Sequence, residues 1–358
     1  MSEFHRILIT GGGTGGHIFP GLAVADWLRQ HGVEVHWLGT RRGMESTLVP
    51  AAGVPITYLR VSGIRGKGRL QQLLAPFILV IAVLHALYLM RRLKPTCVLG
   101  TGGFVAGPGG LAAWLSGRPL ILHEQNAVAG TTNRLLARFA RRVLVGIPGA
   151  FDDRVGAEFI GNPVRAAITA LPEHVITAAP APLRVLVIGG SQGARILNQT
   201  LPDALALIAA EHRPLVRHQA GRAEYEATKA RYHALGVNAQ VELFIDDMVA
   251  AYRDADLVIC RAGALTVSEL AAAGLPSILV PLPTAIDDHQ RKNAEWLSKS
   301  GAAKICLQAD FSAESLAHVL TGLMTDRDTL VGMASAARKQ ARPNAAAVVG
   351  GACMEAPR

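Results

Sequence analysis

Two stretches far apart in the chain open in the same way. Arg6-Ile-Leu-Ile-Thr-Gly-Gly-Gly-Thr-Gly-Gly-His17 and Arg184-Val-Leu-Val-Ile-Gly-Gly-Ser-Gln-Gly-Ala-Arg195 each run from a basic residue through an apolar segment into a glycine-rich turn. A short unbroken run of β-branched residues and leucine is what a strand buried on both faces looks like, and such strands belong to parallel sheets. Parallel neighbours require long crossovers, normally helical. The echo therefore predicts two α/β domains, each a doubly wound parallel sheet starting on its own glycine turn. A chain of 358 residues has room for both. The pattern breaks at Gly161-Asn-Pro-Val-Arg165 and again over the Ala- and Pro-rich segment 171–182, which places an N-terminal domain at 1–162 and a second at 163–342. Residues 343–358 are expected to close as a helix against the first domain.

Open parallel sheets bind ligands beyond the carboxyl ends of their strands, so the residues there are the site candidates. The first strand leads through Thr14, Gly15 and Gly16 to His17 at a helix start. That histidine is either a cap or a general base, since imidazoles titrate near neutrality. A strand at 97–101 ends in a second glycine loop, with Gly102, Gly103 and Phe104. Another ends in His123-Glu-Gln-Asn126, where Glu124 and Asn126 either reach a ligand or cap the helix beginning near Thr131. In the second half, Ser191 and Gln192 occupy the glycine turn, and Phe244-Ile245 offers an apolar wall and backbone groups to a flat ring. After the strand 257–260, the turn Arg261-Ala-Gly-Ala leads to a helix expected from Thr266. Its Thr266 and Glu269 have capping-box spacing, and its first-turn amides suit an anion. A further helix start at Asp287-Asp-His-Gln290 adds polar side chains at the same edge.

Composition narrows the field. A net charge of +9 points to anionic partners, but aromatic residues make up only 5% and do not interleave with the basic ones, which argues against nucleic acid. Gly11, Gly13 and Gly16 satisfy a dinucleotide spacing, yet the second strand ends in Gly39-Thr-Arg41-Arg42 without the acidic residue that holds an NAD ribose; the arginines leave an NADP-dependent oxidoreductase open. The four cysteines, Cys97, Cys260, Cys306 and Cys353, form no CxxC pair and read as buried thiols of a reducing compartment. The pairs Asp152-Asp153, Asp246-Asp247 and Asp287-Asp288 lack His or Glu at ligand spacing, so no metal and no cofactor is expected. The apolar stretch from Leu73 to Met90 is long enough to raise the question of a membrane span. Pro76, His85 and the surrounding strand and helix series argue against one. Flanked by Arg65, Lys67, Arg69 and then Arg91, Arg92 and Lys94, it reads equally as a buried helix or as one lying on an anionic leaflet. The N-terminus enters a strand at once and shows no signal peptide, so a cytoplasmic location is expected.

Jointly, Gly12-Gly-Thr-Gly-Gly-His17, Gly100-Thr-Gly-Gly-Phe-Val-Ala-Gly-Pro108, His123-Glu-Gln-Asn126, Gly161-Asn-Pro-Val-Arg165, Gly189-Gly-Ser-Gln-Gly-Ala194 and Arg261-Ala-Gly-Ala-Leu-Thr-Val-Ser-Glu269 resemble the MurG family over nearly the whole chain. These bacterial transferases add N-acetylglucosamine to the lipid-linked muramoyl-pentapeptide precursor of peptidoglycan. The resemblance implies a GT-B fold with two Rossmann-like domains facing across a cleft. It implies UDP-GlcNAc as donor, undecaprenyl-pyrophosphoryl-MurNAc-pentapeptide as acceptor, and a peripheral place on the cytoplasmic face of the inner membrane. Carried over, Ile245 meets the uracil through its backbone, Glu269 the ribose, and Ser191 with Ala264, Leu265 and Thr266 the diphosphate region, while Gln192, Arg261, Val267 and Ser268 join the donor site. Gln290 and Asn126 contact the sugar, Arg165 with Thr14 to Gly16 closes over the donor, and the loop carrying Gly102, Gly103 and Phe104 receives the acceptor. Phe104 and Ala106 stand where many relatives carry Tyr and Ser, which would leave backbone groups in place of those hydroxyls. The base is then His17, with Glu124 as the alternative. A UDP-N-acetylglucosamine 2-epimerase and a non-catalytic nucleotide-sugar-binding subunit are the rival readings.

Overall fold

A computed structural model describes residues 5–60, 69–177, 179–190 and 194–356, with side chains throughout except in 69–75 and at Ile286. The chain divides into two compact units: residues up to Arg165 together with Arg342 onward, and Ala166–Ala341.

The first unit begins β1 (Arg6–Gly11), α1 (Gly15–Gln30), β2 (Glu34–Gly39), α2 (Glu45–Ala51), β3 (Ile56–Tyr58), α3 (Arg69–Leu93) and β4 (Cys97–Gly102). It continues α4 (Ala106–Leu115), β5 (Leu120–Glu124), α5 (Thr131–Leu136), β6 (Arg142–Val145) and β7 (Glu158–Phe159). All its strands pair in parallel, in the order β3-β2-β1-β4-β5-β6-β7. The continuous apolar run of β1 has a simple cause: its alternate residues feed two separate cores. Ile7 and Ile9 pack with Ile18, Leu28 and Trp37 on one face, while Leu8 packs with Val98, Leu122 and Met90 on the other.

The second unit contains α6 (Ala166–Thr169), β8 (Arg184–Ile188), α7 (Arg195–Ala206), β9 (Leu215–Gln219), α8 (Tyr225–Ala234), β10 (Gln240–Glu242), α9 (Met248–Asp254) and β11 (Leu257–Cys260). Then follow α10 (Ala264–Ala273), β12 (Ser277–Leu279), α11 (His289–Lys299), β13 (Ala303–Ile305), α12 (Ala313–Thr325) and α13 (Arg327–Gln340). Its sheet is again all parallel, in the order β10-β9-β8-β11-β12-β13. Residue Arg342 returns the chain to the first unit, where α14 (Ala345–Glu355) packs on α1. Small residues permit that approach: a Cβ on Gly350 would lie 2.3 Å from the Trp27 ring.

In each sheet the strand order reverses direction between the first strand and the fourth of its unit, β1 and β4 in one, β8 and β11 in the other. Connections leave to opposite sides there, which opens a crevice at the carboxyl ends. The first glycine turn and, in the second unit, Gly189 and Gly190 stand at these two points.

Helix α3 is apolar around most of its circumference but only one side is covered. Ala82, Val83, Ala86, Leu89 and Met90 are buried, whereas Phe77, Val80, Ile81, Leu84 and Tyr88 are each 57% exposed or more. Its segment Pro76–Leu93 has the length and hydropathy of a membrane span, yet it packs alongside α4 over the sheet. Of its basic flanks, Arg91, Arg92 and Lys94 are exposed; Arg65 and Lys67 lie outside the described residues.

Candidate active site

At the switch point of the first unit the two glycine loops touch through their backbones. The Gly12 N–H donates to Gly102 O at 3.3 Å. A Cβ on Gly103 would sit 2.2 Å from Gly12 O, and one on Gly11 would sit 1.9 Å from Thr101 Oγ1. Gly102 and Gly103 also adopt φ of +107° and +78°, open to glycine but strained for other residues. The ring of Phe104 lies beside Gly13, and the imidazole of His17 covers Gly102, with Nδ1 2.8 Å from where a Cβ would be. Helix α1 starts at Gly15, two residues before the His17 start read from the sequence, and its N-cap Thr14 makes no side-chain cap bond. The exposed Thr14 and the half-buried Gly15 and Gly16 therefore form the rim of this mouth.

Glu45, at the start of α2, is a site residue that sequence reasoning missed. It is fully buried. Its Oε1 accepts from Thr40 N at 2.9 Å and Thr40 Oγ1 at 2.7 Å, and its Oε2 accepts from Gly13 N at 2.9 Å. No local spacing links it to Gly13; only the fold brings them together.

His17 and Glu124 have different surroundings. His17 is half-buried and its Nδ1 bonds Gln125 Oε1 at 2.8 Å. Glu124 is 1% exposed and both its oxygens are occupied. Oε1 accepts from Asn126 N and Nδ2 at 3.1 and 3.2 Å, and Oε2 from Gly130 N and Asn133 Nδ2 at 3.1 and 2.9 Å. This carboxylate holds the loop between β5 and α5 in shape, and Asn126 is part of that loop. The neighbouring His123 is buried and its pKa is pushed down to about 4 by loss of solvation. Arg165 is exposed at the end of the unit.

At the switch point of the second unit, Ser191 and Gln192 lie outside the described residues. The preceding glycine turn is held by Gln219, whose Nε2 donates to Gly190 O at 2.9 Å. After β11 the chain turns through Arg261, Ala262 and Gly263 into α10. The capping box expected from Thr266 and Glu269 does not form: the helix starts at Ala264 with Gly263 as N-cap and no side-chain cap bond. Its first internal bond runs from Val267 N to Gly263 O, so the Leu265 and Thr266 amides precede the helical ladder, at the positive end of the helix dipole. Val267 is fully buried, and Ser268 is turned back onto Ala264 O at 2.9 Å, so both side chains belong to the helix interior. Glu269 is 7% exposed and its Oε2 accepts from Tyr252 Oη at 3.0 Å.

Arg261 sets a fixed cation beside this helix start. Its Nη1 donates to Val280 O and Pro281 O at 3.0 and 3.2 Å, and its Nη2 to Gln308 Oε1 at 2.8 Å. Burial lowers its pKa, but a guanidinium starts so high that it stays charged. From α11, Gln290 Oε1 accepts from Leu282 N at 3.0 Å, and the buried Asn293 donates from Nδ2 to Ala262 O at 3.1 Å. Asn293 thus pins the turn before α10, a second role not visible in the sequence. Ile245 is fully buried, next to Phe244, which is 55% exposed. Asp287 and Asp288 are exposed with positive φ. Among the described residues no three His, Cys, Asp or Glu side chains converge as a metal site.

Comparison with known proteins is consistent along the whole length. Residues 7–145 match the glycosyltransferase family 28 N-terminal domain and residues 184–349 its C-terminal domain. A Pseudomonas fluorescens protein, named UDP-N-acetylglucosamine--N-acetylmuramyl-(pentapeptide) pyrophosphoryl-undecaprenol N-acetylglucosamine transferase, is 55% identical over 351 residues, covering 98% of each chain. The crystal structure of Acinetobacter baumannii MurG superposes with a TM-score of 0.84 at 42% identity, covering 98% of this chain and all of that one. A Neisseria meningitidis UDP-GlcNAc 2-epimerase reaches a TM-score of 0.69 at 11% identity, a likeness of fold alone.

Proposed function

The chain belongs to glycosyltransferase family 28 and, within it, to the MurG transferases; from that premise we propose how its two units divide the reaction. The enzyme transfers N-acetylglucosamine from UDP-GlcNAc to the C4 hydroxyl of the lipid-linked N-acetylmuramoyl-pentapeptide, on a GT-B fold. The full-length match carries this assignment, and it disfavours the epimerase, whose likeness stops at the fold. In our reading the second unit holds the nucleotide sugar and the first holds the acceptor.

Passing from an α-linked donor to a β1,4 product inverts the anomeric carbon, so one displacement suffices. It requires a base for the acceptor hydroxyl and stabilisation of the departing diphosphate. For the second task the amides of Leu265 and Thr266, with the fixed Arg261 guanidinium, offer positive potential at one point. Phe244 forms the uracil wall with the buried Ile245 behind it, Glu269 meets the ribose, and Gln290 directs its amide nitrogen to the sugar. Ser191 and Gln192 complete the donor contacts of the second unit, while Asn126, Arg165 and the Thr14 to Gly16 rim belong to the first. For the base we assign His17. Its Nδ1 is engaged by Gln125, which leaves Nε2 to take the proton, whereas both oxygens of Glu124 are already committed to the 126–133 loop. Gly102, Gly103 and Phe104 adjoin His17 and form the acceptor side.

We also propose that the exposed face of α3 docks on the cytoplasmic leaflet, where the acceptor is anchored. Exposed apolar side chains also stand on α4 (Trp114, Leu115) and α5 (Leu135), and Arg118, Arg138 and Arg141 line one depression with Trp114. Replacing Ile81 and Leu84 by Glu should abolish co-sedimentation with anionic liposomes; undiminished binding would return α3 to a purely structural role.

The decisive assay follows UDP release from UDP-GlcNAc with and without a lipid-linked MurNAc-pentapeptide analogue. Release should depend on the acceptor and yield a disaccharide product. Acceptor-independent turnover, or epimerisation at C2, would overturn the reading.

A further inference from the structure

Behind His17 lies a chain of polar contacts that sequence motifs did not single out. His17 Nδ1 meets Gln125 Oε1 at 2.8 Å; Gln125 Nε2 meets His123 Nδ1 at 3.0 Å and His123 O at 2.9 Å; His123 Nε2 meets Gly161 O at 3.0 Å. Gln125 and His123 are each 1% exposed. The donor and acceptor capacities of these groups allow one arrangement of protons. A backbone carbonyl only accepts, so His123 carries its proton on Nε2. Burial keeps that imidazole neutral, with its pKa lowered to about 4, so its Nδ1 is an acceptor. An acceptor there, with the His123 carbonyl beside it, uses both N–H bonds of the Gln125 amide. The amide oxygen is thereby turned to His17, and it too only accepts. His17 Nδ1 must donate.

From this geometry we propose that Gln125 and His123 are positioning residues that lock neutral His17 in its Nδ1–H tautomer, presenting the Nε2 lone pair as the base for the acceptor hydroxyl. The inference rests on the reading of His17 as base. It assigns Gln125 a function distinct from packing: the locked tautomer is the less stable one for a free imidazole in water, so its population reports the relay directly. When Nε2 takes the proton, the Gln125 oxygen remains hydrogen-bonded to Nδ1–H and favours the imidazolium that forms.

The test starts with the unaltered full chain, labelled with 15N-histidine, with His17→Ala used to assign the His17 signals. Long-range 15N–1H correlations above the titration range should show Nδ1 protonated and Nε2 bare. Gln125→Leu should restore a mixture weighted to Nε2–H and lower kcat on the order of 100-fold while KM for UDP-GlcNAc holds. Gln125→Glu keeps an oxygen facing Nδ1 but sets its second oxygen against the His123 Nδ1 lone pair and the His123 carbonyl, so it should leave kcat well below wild type; a Glu variant with wild-type kcat would overturn the relay through His123. An Nε2–H tautomer in the unaltered protein overturns the relay even if variants fail to fold. So does a Gln125→Leu enzyme with wild-type kcat, while a dead His17→Ala would still leave the base assignment standing. Near-normal turnover of His17→Ala overturns the base and, with it, the catalytic meaning of the relay.

Discussion

Replacing Glu45 by Gln changes one atom of the first unit's glycine loop anchor. The carboxylate has two acceptor oxygens facing three donors: Thr40 N and Oγ1 on one, Gly13 N on the other. An amide has only one acceptor oxygen. Kept on Thr40, it turns its NH2 towards the Gly13 N–H, losing that bond and setting donor against donor; turned over, it sets its NH2 against the Thr40 N–H and keeps the Thr40 hydroxyl only by reversing that bond. Gly12 and Gly43 lie close against the side chain: a Cβ on either would stand 2.5 or 1.9 Å from its carboxylate oxygens. A lost hydrogen bond to a buried charged acceptor corresponds to about 2 kcal/mol. For a unit of this size that lowers Tm by about 4–8 °C. Glu45→Ala strips all three donors of their partner and should cost about 3–5 kcal/mol. Because the released loop runs directly into His17, kcat should fall roughly tenfold or more even where the protein remains folded. Calorimetry and steady-state kinetics on both variants measure these effects. A Glu45→Gln enzyme that melts within about 1 °C of wild type and turns over normally would refute the argument that this carboxylate holds the loop.

Other consequences follow from single positions. Gly102→Ala places a Cβ 2.8 Å from His17 Nδ1 in a φ of +107°; kcat should drop at least tenfold, with KM for UDP-GlcNAc unchanged, and unimpaired turnover would show that His17 can move without loss. Asn293→Ala frees the Ala262 carbonyl before α10; KM for UDP-GlcNAc should rise several-fold, and an unaltered KM would show that the turn keeps its shape unaided. Each unit buries one histidine whose pKa burial lowers to about 4, His123 in the first and His218 in the second. Below the ordinary histidine pKa of 6.5 the unfolded chain binds a proton that the folded form refuses until about 4. Stability contributed by these groups is therefore full above that value and declines as pH falls towards 4. Between pH 7.5 and 5 the loss is about 2 kcal/mol from each, and urea unfolding at the two pH values that showed equal stability would contradict it.

The duplicated architecture was legible because it is written in local, repeated signals. Strand β1 is apolar from Ile7 to Ile9 since both its faces are covered, and Gly11 at its end and Gly12 after it leave room for the side chains of Thr101 and Glu45, which a Cβ would meet at 1.9 and 2.5 Å. Such constraints act residue by residue and leave a pattern in the sequence. The partners of the site act differently. Glu45 to Gly13, Gln125 to His17, Tyr252 to Glu269 and Asn293 to Ala262 are side-chain contacts across long stretches of chain, and nothing in the spacing of one partner predicts the other. Thr266 and Glu269 illustrate the opposite hazard. Three-residue spacing is shared by a capping box and by any two residues on one face of a helix. In α10 the N-cap lies three residues earlier, at Gly263, and Glu269 is taken by a tyrosine from α9. A glycine N-cap contributes no side-chain oxygen, so the amides that a serine or aspartate there would have satisfied lie ahead of the ladder at the switch point. The absence of a local cap thus leaves those amides open at the helix start to which we assign the diphosphate, and the Thr266–Glu269 spacing does not describe how the helix begins.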